Sequence, residues 1–164
     1  MEITQEEQKR YEELQVFALD FARQGKTQDL KAMLDASMPI NLCDHKGNSL
    51  LMLASYNGNE ETTQMLVNLG ANVDQKNDRG QTPLAGVCFK GYLNIVKILV
   101  HAGANIYENN GMGTTPIMFA SMFGNYEIVK YLNNKNGNFK SKVYLLVSKI
   151  FAIVKNLFNK RKPK

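Results

Sequence analysis

Gly80-Gln81-Thr82-Pro83-Leu84 joins a tight turn to the start of a helix, and this stretch decides the fold of the 164-residue chain. A glycine after polar residues suits a turn with positive φ. Threonine can cap a helix through its hydroxyl, and proline fits the first helical position, where its missing N–H costs nothing. Similar stretches occur 33 residues earlier and later, as Gly47-Asn48-Ser49-Leu50-Leu51 and Gly113-Thr114-Thr115-Pro116-Ile117. This constant spacing predicts a structural repeat.

Two further sets of residues keep the same register. The first set comprises Gly25, Gly58, Gly91 and Gly124. Gly58, Gly91 and Gly124 are expected to end a first helix of about two turns in their units. A second helix follows, with apolar residues at helical spacing, and Gly70 and Gly103 are predicted to be its C′ glycines in the left-handed conformation. Ser37 stands at the corresponding position of the first unit.

This pattern resembles the ankyrin repeat, whose unit is a β-turn and two antiparallel helices marked by Thr-Pro-Leu-His-x-Ala. The resemblance covers roughly residues 14–136. Ala85 and Met118 replace the motif histidine, and Ser49-Leu50 replaces one Thr-Pro pair, so the hydrogen-bond network at individual turns is expected to be weaker. The resemblance implies an all-α ankyrin repeat solenoid of about four helix-turn-helix repeats with β-turn tips, and a protein without enzymatic activity.

The predicted organisation is an ankyrin repeat domain over residues 1–136 and a basic amphipathic C-terminal helix and tail over residues 137–164. The units of the domain are an N-terminal cap repeat over 1–40 and repeats over 41–73, 74–106 and 107–136. A cap is expected because each repeat of a solenoid contacts only its neighbours, and an uncovered end would expose core.

The cap repeat has its own pattern. Thr4-Gln5-Glu6-Glu7 matches a capping box, which predicts the start of a longer opening helix. Its apolar residues are predicted to form one stripe on that helix, comprising Tyr11, Leu14, Ala18 and Phe21.

The net charge of +5 and the pI near 9.1 come from the C-terminal segment. Residues 137–164 contain eight Lys and Arg and no acidic residue, whereas residues 1–136 contain the other twelve bases and all fifteen acids. The charge therefore does not indicate a nucleic-acid-binding domain, and no specific nucleic-acid partner is expected. Two cysteines are too few for a disulfide framework, and the N-terminus lacks the pattern of a signal peptide, so a cytoplasmic location is predicted.

The sequence carries no recognisable catalytic motif. His45 and His101 are its two histidines, and it contains no Ser-His-Asp set, Cys-x-x-Cys, His-Glu-x-x-His or phosphate-binding glycine-rich loop. Cys88 stands where the inner helix of an ankyrin repeat carries a small buried residue, which favours a structural role. Cys43 and His45 on one turn do not make a zinc site. We expect no catalytic residue, no metal site and no required cofactor.

The ankyrin resemblance implies a binding site on the concave face, formed by the turn tips and by the last two residues of each inner helix. The predicted partner-binding residues are Arg23, His45, Lys46, Tyr56, Asn57, Asp78, Arg79, Phe89, Lys90, Met112, Met122 and Phe123. Tyr56, Phe89 and Met122 recur at 33-residue spacing and are expected to form an exposed row, which is typical of a binding surface. The alternative is that they pack over the inner helices as ordinary core.

Two classes of ligand fit the predicted face. The first is another protein, the usual partner of the family. The second is a planar cofactor such as heme, with Tyr56 as an anionic axial ligand and His45 as the weaker alternative. In length and repeat number the chain also resembles small bacterial ankyrin proteins associated with catalase and its heme supply. This looser resemblance implies, as the alternative function, a heme-binding accessory protein that supports catalase.

The C-terminal segment predicts an amphipathic helix from Val143 to Phe158. Its apolar arc comprises Val143, Leu146, Val147, Ile150, Phe151, Val154, Leu157 and Phe158. The opposite side comprises Ser148, Lys149, Lys155, Asn156 and Asn159. A membrane span is disfavoured because the apolar stretch is short and carries two lysines.

Three interpretations of this helix remain open. It can fold over the fourth repeat as a C-terminal cap, which the repeat architecture requires. Residues 141–162 can instead bind an anionic membrane surface, which would place the protein at the inner face of the membrane. Attraction to nucleic acid without sequence readout is the third.

Overall fold

The computed structural model describes residues 4–111, 113–136 and 140–159, and this part of the chain is helical. The helices are α1 (Gln5–Gln24), α2 (Thr27–Asp35), α3 (Leu50–Tyr56), α4 (Glu60–Asn68), α5 (Pro83–Lys90), α6 (Leu93–His101), α7 (Pro116–Met122), α8 (Tyr126–Asn136) and α9 (Lys140–Asn159). An isolated β-bridge joins Cys43 to Ser49 in the turn before α3. The all-α fold class is confirmed.

The helices pack in two layers. Helices α1, α3, α5 and α7 contact one another in succession and form an inner layer, while α2, α4, α6 and α8 form an outer layer. The core between the layers repeats with the sequence, because residues 33 apart are buried alike, as in Leu66, Leu99 and Leu132. Helix α9 packs against both α7 and α8, and therefore covers the end of the stack.

Hydroxyl caps begin several of the helices. The Thr4 hydroxyl accepts from the backbone N–H of Glu7, whose carboxylate accepts from the Thr4 N–H, so the predicted capping box is confirmed. The hydroxyls of Ser49 and Thr82 likewise cap α3 and α5. At α7, Thr115 and Pro116 stand at the predicted N-cap and first helical positions, but the prediction of a hydroxyl cap is wrong, since Thr115 makes no side-chain cap bond.

Left-handed residues end the outer helices. Gly70 and Gly103 follow the C-cap residues of α4 and α6 with φ of +86° and +89°, which confirms their predicted role. Ser37 takes the same conformation after α2, with φ of +74°. A side chain in this region is strained by the approach of Cβ to the backbone. The first unit therefore makes the same left-handed turn as the next two units, but with serine in place of glycine.

We expect Ser37→Gly to raise the free energy of unfolding by about 1 kcal/mol, because the relief of strain exceeds the entropy cost of a glycine. Ser37→Ala is the matched control, since it removes the hydroxyl and keeps the Cβ. Urea denaturation of both variants measures the effect. A gain of equal size in Ser37→Ala would show that left-handed strain is not its cause.

The stripe predicted on α1 is only partly buried. Ala18 is fully buried, but Tyr11 and Leu14 are 41% and 39% exposed, and residues 5–14 lie outside the core. The reason is length, because α1 has 20 residues whereas its inner-layer neighbour α3 has seven. The first half of α1 therefore extends beyond the helix that could cover it.

One residue of the predicted polar side of α9, Ser148, packs inward, whereas Lys149 and Asn156 are exposed. Ser148 is fully buried, Tyr144 and Leu145 pack against the core, and the Ser121 hydroxyl donates to the Tyr144 carbonyl at 2.9 Å. Most of the predicted apolar arc faces outward: Val143, Leu146, Ile150, Phe151 and Val154 are exposed, as is Ile153. Helix α9 therefore covers the fourth repeat with the side opposite to most of its apolar arc.

Close packing at Gly124 explains this orientation. A Cβ at Gly124 would lie 2.8 Å from the backbone nitrogen of Ala152 and 3.1 Å from its Cα. At such an approach the inward side of α9 needs small residues, and Ser148 and Ala152 provide them. In the described part of the chain, no helix combines the length and the apolar character that crossing a membrane requires.

Candidate partner-binding groove

A groove of about 410 Å³ lies where the first and second turn tips face the inner helices α3 and α5. We call it the tip groove. Its lining residues are Lys46, Asn48, Met52, Leu53, Tyr56, Asn77, Asp78, Arg79, Gln81, Thr82 and Gly86. Four predicted partner-binding residues meet in it, namely Lys46, Tyr56, Asp78 and Arg79.

Aromatic rings continue from the groove along the inner layer. The rings of Tyr56 and Phe89 are parallel with centroids 6.4 Å apart, and Phe89 meets Phe123 edge-on at 4.3 Å. We call these three residues the aromatic row. Its third ring is Phe123 and not the predicted Met122, which ends α7 and is 50% exposed. The row is thus shifted by one residue in the fourth repeat, where the C-cap position of α7 carries an aromatic side chain.

Gly86 gives the Tyr56 ring its place at the groove wall. A Cβ at residue 86 would lie 3.1 Å from Cδ2 of Tyr56, so the ring rests against the backbone of α5. The Lys90 ammonium lies 4.9 Å from the centroid of the Tyr56 ring and adds a cation–π contact. Sequence reasoning missed Gly86, although a glycine inside a helix costs stability and so indicates a close approach.

Exposed charges surround the mouth of the groove. Among the residues that the structure describes, no ion pair or hydrogen bond involves the Lys46 or Arg79 side chain. The Asp78 backbone N–H donates to the Lys46 carbonyl at 3.0 Å, which fixes one turn tip against the next. The groove therefore presents two cations and one carboxylate on a fixed frame.

Arg23 lies in the last turn of α1, as predicted, but does not line the tip groove. Its guanidinium donates to Asp20 at 2.7 Å and to Asp44 at 3.0 Å. The Asp44 carboxylate also accepts from the backbone N–H groups of Lys46 and Asn48 and from the Asn48 side chain. Arg23 is thus engaged within the protein, where it ties the end of α1 to the first turn.

These bonds control the ionisation of Asp44. Its carboxylate is largely buried, and burial alone would raise the pKa. The hydrogen bonds from the Asn48 side chain, from the two backbone N–H groups and from Arg23 outweigh burial and hold the pKa of Asp44 below its usual value. The ionised form therefore stabilises the fold.

The remaining predicted residues lie outside the groove. Phe89, Lys90 and Phe123 continue beside it along the inner layer. Asn57 is an exposed C-cap residue whose amide donates to the Leu53 carbonyl at 2.7 Å. His45 is exposed at the first turn tip and does not line the groove. Met112 lies outside the described residues.

Amide side chains link neighbouring turns. Asn77 donates to the Asn48 amide oxygen at 2.9 Å. The buried Asn110 accepts from the Thr82 backbone N–H at 2.7 Å and from its hydroxyl at 3.0 Å. These bonds join residues about one repeat apart, so sequence reasoning could not pair them. The frame of the groove is thus a continuous polar network.

The two cysteines lie in different environments. Cys88 is fully buried in α5, and burial strongly raises the pKa of its thiol. The pKa of Cys43 is also raised, by burial first and then by the charges of Asp44 and Asp78. A reactive thiolate needs the opposite shift. No group of three or more His, Cys, Asp or Glu side chains is placed to hold a metal in the part of the chain that the structure describes.

The groove walls bear on the heme hypothesis. The lining of the groove combines the Tyr56 ring, Met52 and Leu53 with polar and charged side chains. Heme binding through Tyr56 or His45 stays a prediction. Hemin titration tests it: coordination by Tyr56 would give a Soret shift that Tyr56→Phe abolishes, and no shift would eliminate the hypothesis.

A second depression, of about 450 Å³, lies in the outer layer between α2 and α4. Gln28, Lys31, Gln64 and Leu69 are among its lining residues. The aromatic row is on the inner layer and does not reach this depression, so the tip groove is the better candidate site.

Comparison with known proteins agrees with this architecture. A sequence profile of ankyrin repeats (3 copies) matches residues 19–110 and 75–143. An ankyrin repeat protein of Pseudomonas aeruginosa is 52% identical over 46 residues, which are 28% of this chain and 27% of that protein. Oxysterol-binding protein-related protein 1 of Homo sapiens is 36% identical over 80 residues, which are 48% of this chain and 8% of that protein.

These matches span less than a third of the length of either relative. They do not link the chain to catalase or heme. Ankyrin repeats generally mediate protein–protein interaction and are typically non-enzymatic. The profile covers more than half of the sequence, and the structure contains successive helix pairs. The chain belongs to the ankyrin repeat family.

Proposed function

We propose that this chain is a non-enzymatic binding protein that holds a segment of another protein in the tip groove. The observation that carries the proposal is the groove itself, which combines an exposed aromatic wall with polar groups on a hydrogen-bonded frame. Aromatic side chains supply much of the energy of protein interfaces, and polar groups around them provide specificity.

The charges at the groove favour an acidic partner segment. The Lys46 and Arg79 side chains are exposed and make no ion pair with the described residues, whereas the groove carries one carboxylate, that of Asp78. An arginine can bind a carboxylate through two parallel hydrogen bonds. We therefore expect a bound segment to place Asp or Glu beside Arg79 and an apolar side chain against Tyr56.

The rigid frame also favours binding. The amide bonds between turn tips and the Asp44 network hold the loops before a partner arrives. A preformed site loses less conformational entropy on association than a mobile one. A short segment can therefore bind with useful affinity in a small groove.

Selection from a displayed library of random peptides tests this proposal. We expect the chain to enrich peptides with acidic residues next to an apolar residue. These peptides should lose at least about tenfold in affinity for Tyr56→Ala or Arg79→Glu, the loss typical of an interface hot spot.

A matched control keeps the result specific. Tyr107→Ala removes another exposed tyrosine, which does not line the groove, and should leave peptide binding unchanged. Melting temperatures near that of the parent protein would show that all three variants are folded. Peptides that bind Tyr56→Ala and Arg79→Glu as tightly as the parent would contradict the proposal.

A further inference from the structure

The outward side of α9 forms a continuous apolar surface at the end of the stack. Val143, Leu146, Ile150 and Ile153 follow one another by three or four residues, so they lie on one side of the helix. They are between 53% and 61% exposed. Phe151 and Val154 widen the surface, with 46% and 39% exposure. We call these six residues the outer α9 face. A continuous exposed apolar patch on a folded domain usually marks an interaction site.

The outer α9 face is not needed to close the solenoid. The other side of the helix already does so, through the buried Ser148, the packed Tyr144 and Leu145, and the close contact of Ala152 with Gly124. In the described ranges, the six side chains of the outer α9 face stay open to solvent. The helix therefore has one side that seals the stack and a second side that stays exposed.

The positive charge of the C-terminal segment indicates which kind of partner binds the outer α9 face. Residues 137–164 contain eight Lys and Arg and no acidic residue. A second copy docked α9 against α9 would bring two such segments together, and their repulsion disfavours that arrangement. A surface with many negative charges would be attracted by the same residues. Apolar side chains on one side of a helix together with many lysines are typical of helices that bind anionic lipid.

The apolar character of α9 and the place of Lys149 also fit an anionic lipid surface. In the described part of the chain, α9 is not apolar enough to span a bilayer, so a lipid-bound α9 would lie along the surface. The Lys149 ammonium lies 5.4 Å from the centroid of the Tyr126 ring, between the side of α9 that packs on the stack and the outer α9 face. It is thus held where the stack meets the outer α9 face.

We propose that the outer α9 face binds an anionic lipid surface and attaches the ankyrin stack to it. This inference is independent of the tip groove, which lies on α3, α5 and two turn tips, away from the end that α9 covers. A protein attached in this way keeps the groove open to a partner.

Co-sedimentation of the full chain with lipid vesicles tests the proposal. We expect binding to vesicles of phosphatidylglycerol and phosphatidylcholine, and at least about tenfold weaker binding to phosphatidylcholine alone. Higher salt should weaken binding to the mixed vesicles, because it screens the attraction. Leu146→Gln combined with Ile150→Gln should weaken it by at least about tenfold, since two apolar side chains no longer enter the lipid.

Val16→Gln combined with Phe17→Gln is the matched control. It removes two exposed apolar side chains of α1 and should leave lipid binding unchanged. Both double variants should melt near the parent temperature because the replaced residues are exposed. Light scattering without lipid tests whether a second copy covers the face instead. If the parent protein is a dimer and the Leu146→Gln, Ile150→Gln variant is a monomer, the face binds a second copy and the proposal is overturned. Absence of binding to the mixed vesicles, or equal binding by the α9 variant, would also overturn it.

Discussion

Replacing Gly124 by alanine is expected to lower the free energy of unfolding by about 3 kcal/mol and to loosen α9 from the fourth repeat. Gly124 has φ of +69°, a conformation that strains any side chain. The new Cβ would also meet the backbone of Ala152 at 2.8 Å. Backbone atoms inside a helix cannot rotate away as a side chain can, so the whole of α9 would have to move.

Gly70→Ala separates the two causes. Gly70 has φ of +86°, and a Cβ there would meet no atom within 4 Å. This control contains only the conformational strain, roughly 1–2 kcal/mol. Urea denaturation gives both stabilities, and amide hydrogen exchange in α9 reports its opening. Equal losses in the two variants, with unchanged exchange in α9, would show that α9 does not pack closely on Gly124.

Replacing Asp44 by alanine is expected to cost about 2–3 kcal/mol at neutral pH. The substitution leaves the Arg23 guanidinium with one carboxylate partner in place of two, and it removes the acceptor of two backbone N–H groups. The Asp44 side chain is 6% exposed, so water replaces these bonds poorly. Thermal or urea denaturation measures the loss.

The loss of stability caused by Asp44→Ala should depend on pH. Because the pKa of Asp44 is lower in the folded protein, its ionised form contributes stability above the pKa of the unfolded chain, and this contribution is lost as the pH falls. The difference between the parent protein and Asp44→Ala should therefore shrink below about pH 4, where an ordinary aspartate becomes protonated.

Asp35→Ala is the control for the loss of a charge. Asp35 pairs with Lys31 on the surface of α2 and is 58% exposed. Exposed pairs contribute little, so this variant should lose less than about 1 kcal/mol at any pH. A difference between the parent and Asp44→Ala that stays constant down to acid pH would contradict the assigned role of the carboxylate.

Local signals explain why much of the fold could be predicted from the sequence. The hydroxyl caps at Thr4 and Thr82 and the C′ glycines at Gly70 and Gly103 act within a few residues, and their spacing is visible in one chain. Such features depend on short-range geometry, which the sequence encodes directly. The choice of Tyr56 as a candidate site residue came from the ankyrin resemblance and not from a local signal.

Features that depend on distant contacts could not be predicted. The apolar pattern of α9 favours burial of its apolar arc, but the close approach of Gly124 selects the small residues Ser148 and Ala152 for the inward side. The Asn110 side chain pairs with Thr82 across a repeat boundary, and nothing near either residue indicates the other. Phe123 joins the aromatic row because α7 ends one residue before it.

Site-specific photo-crosslinking tests most directly whether the tip groove binds a protein segment. A benzophenone side chain at Gln81 would lie in the groove, whereas one at Gln64 would lie in the outer-layer depression. With both variants exposed to the same selected peptide, a crosslinked product from position 81 and none from position 64 is the predicted result. A product from position 64, or equal products from both positions, would contradict the tip groove as the binding site.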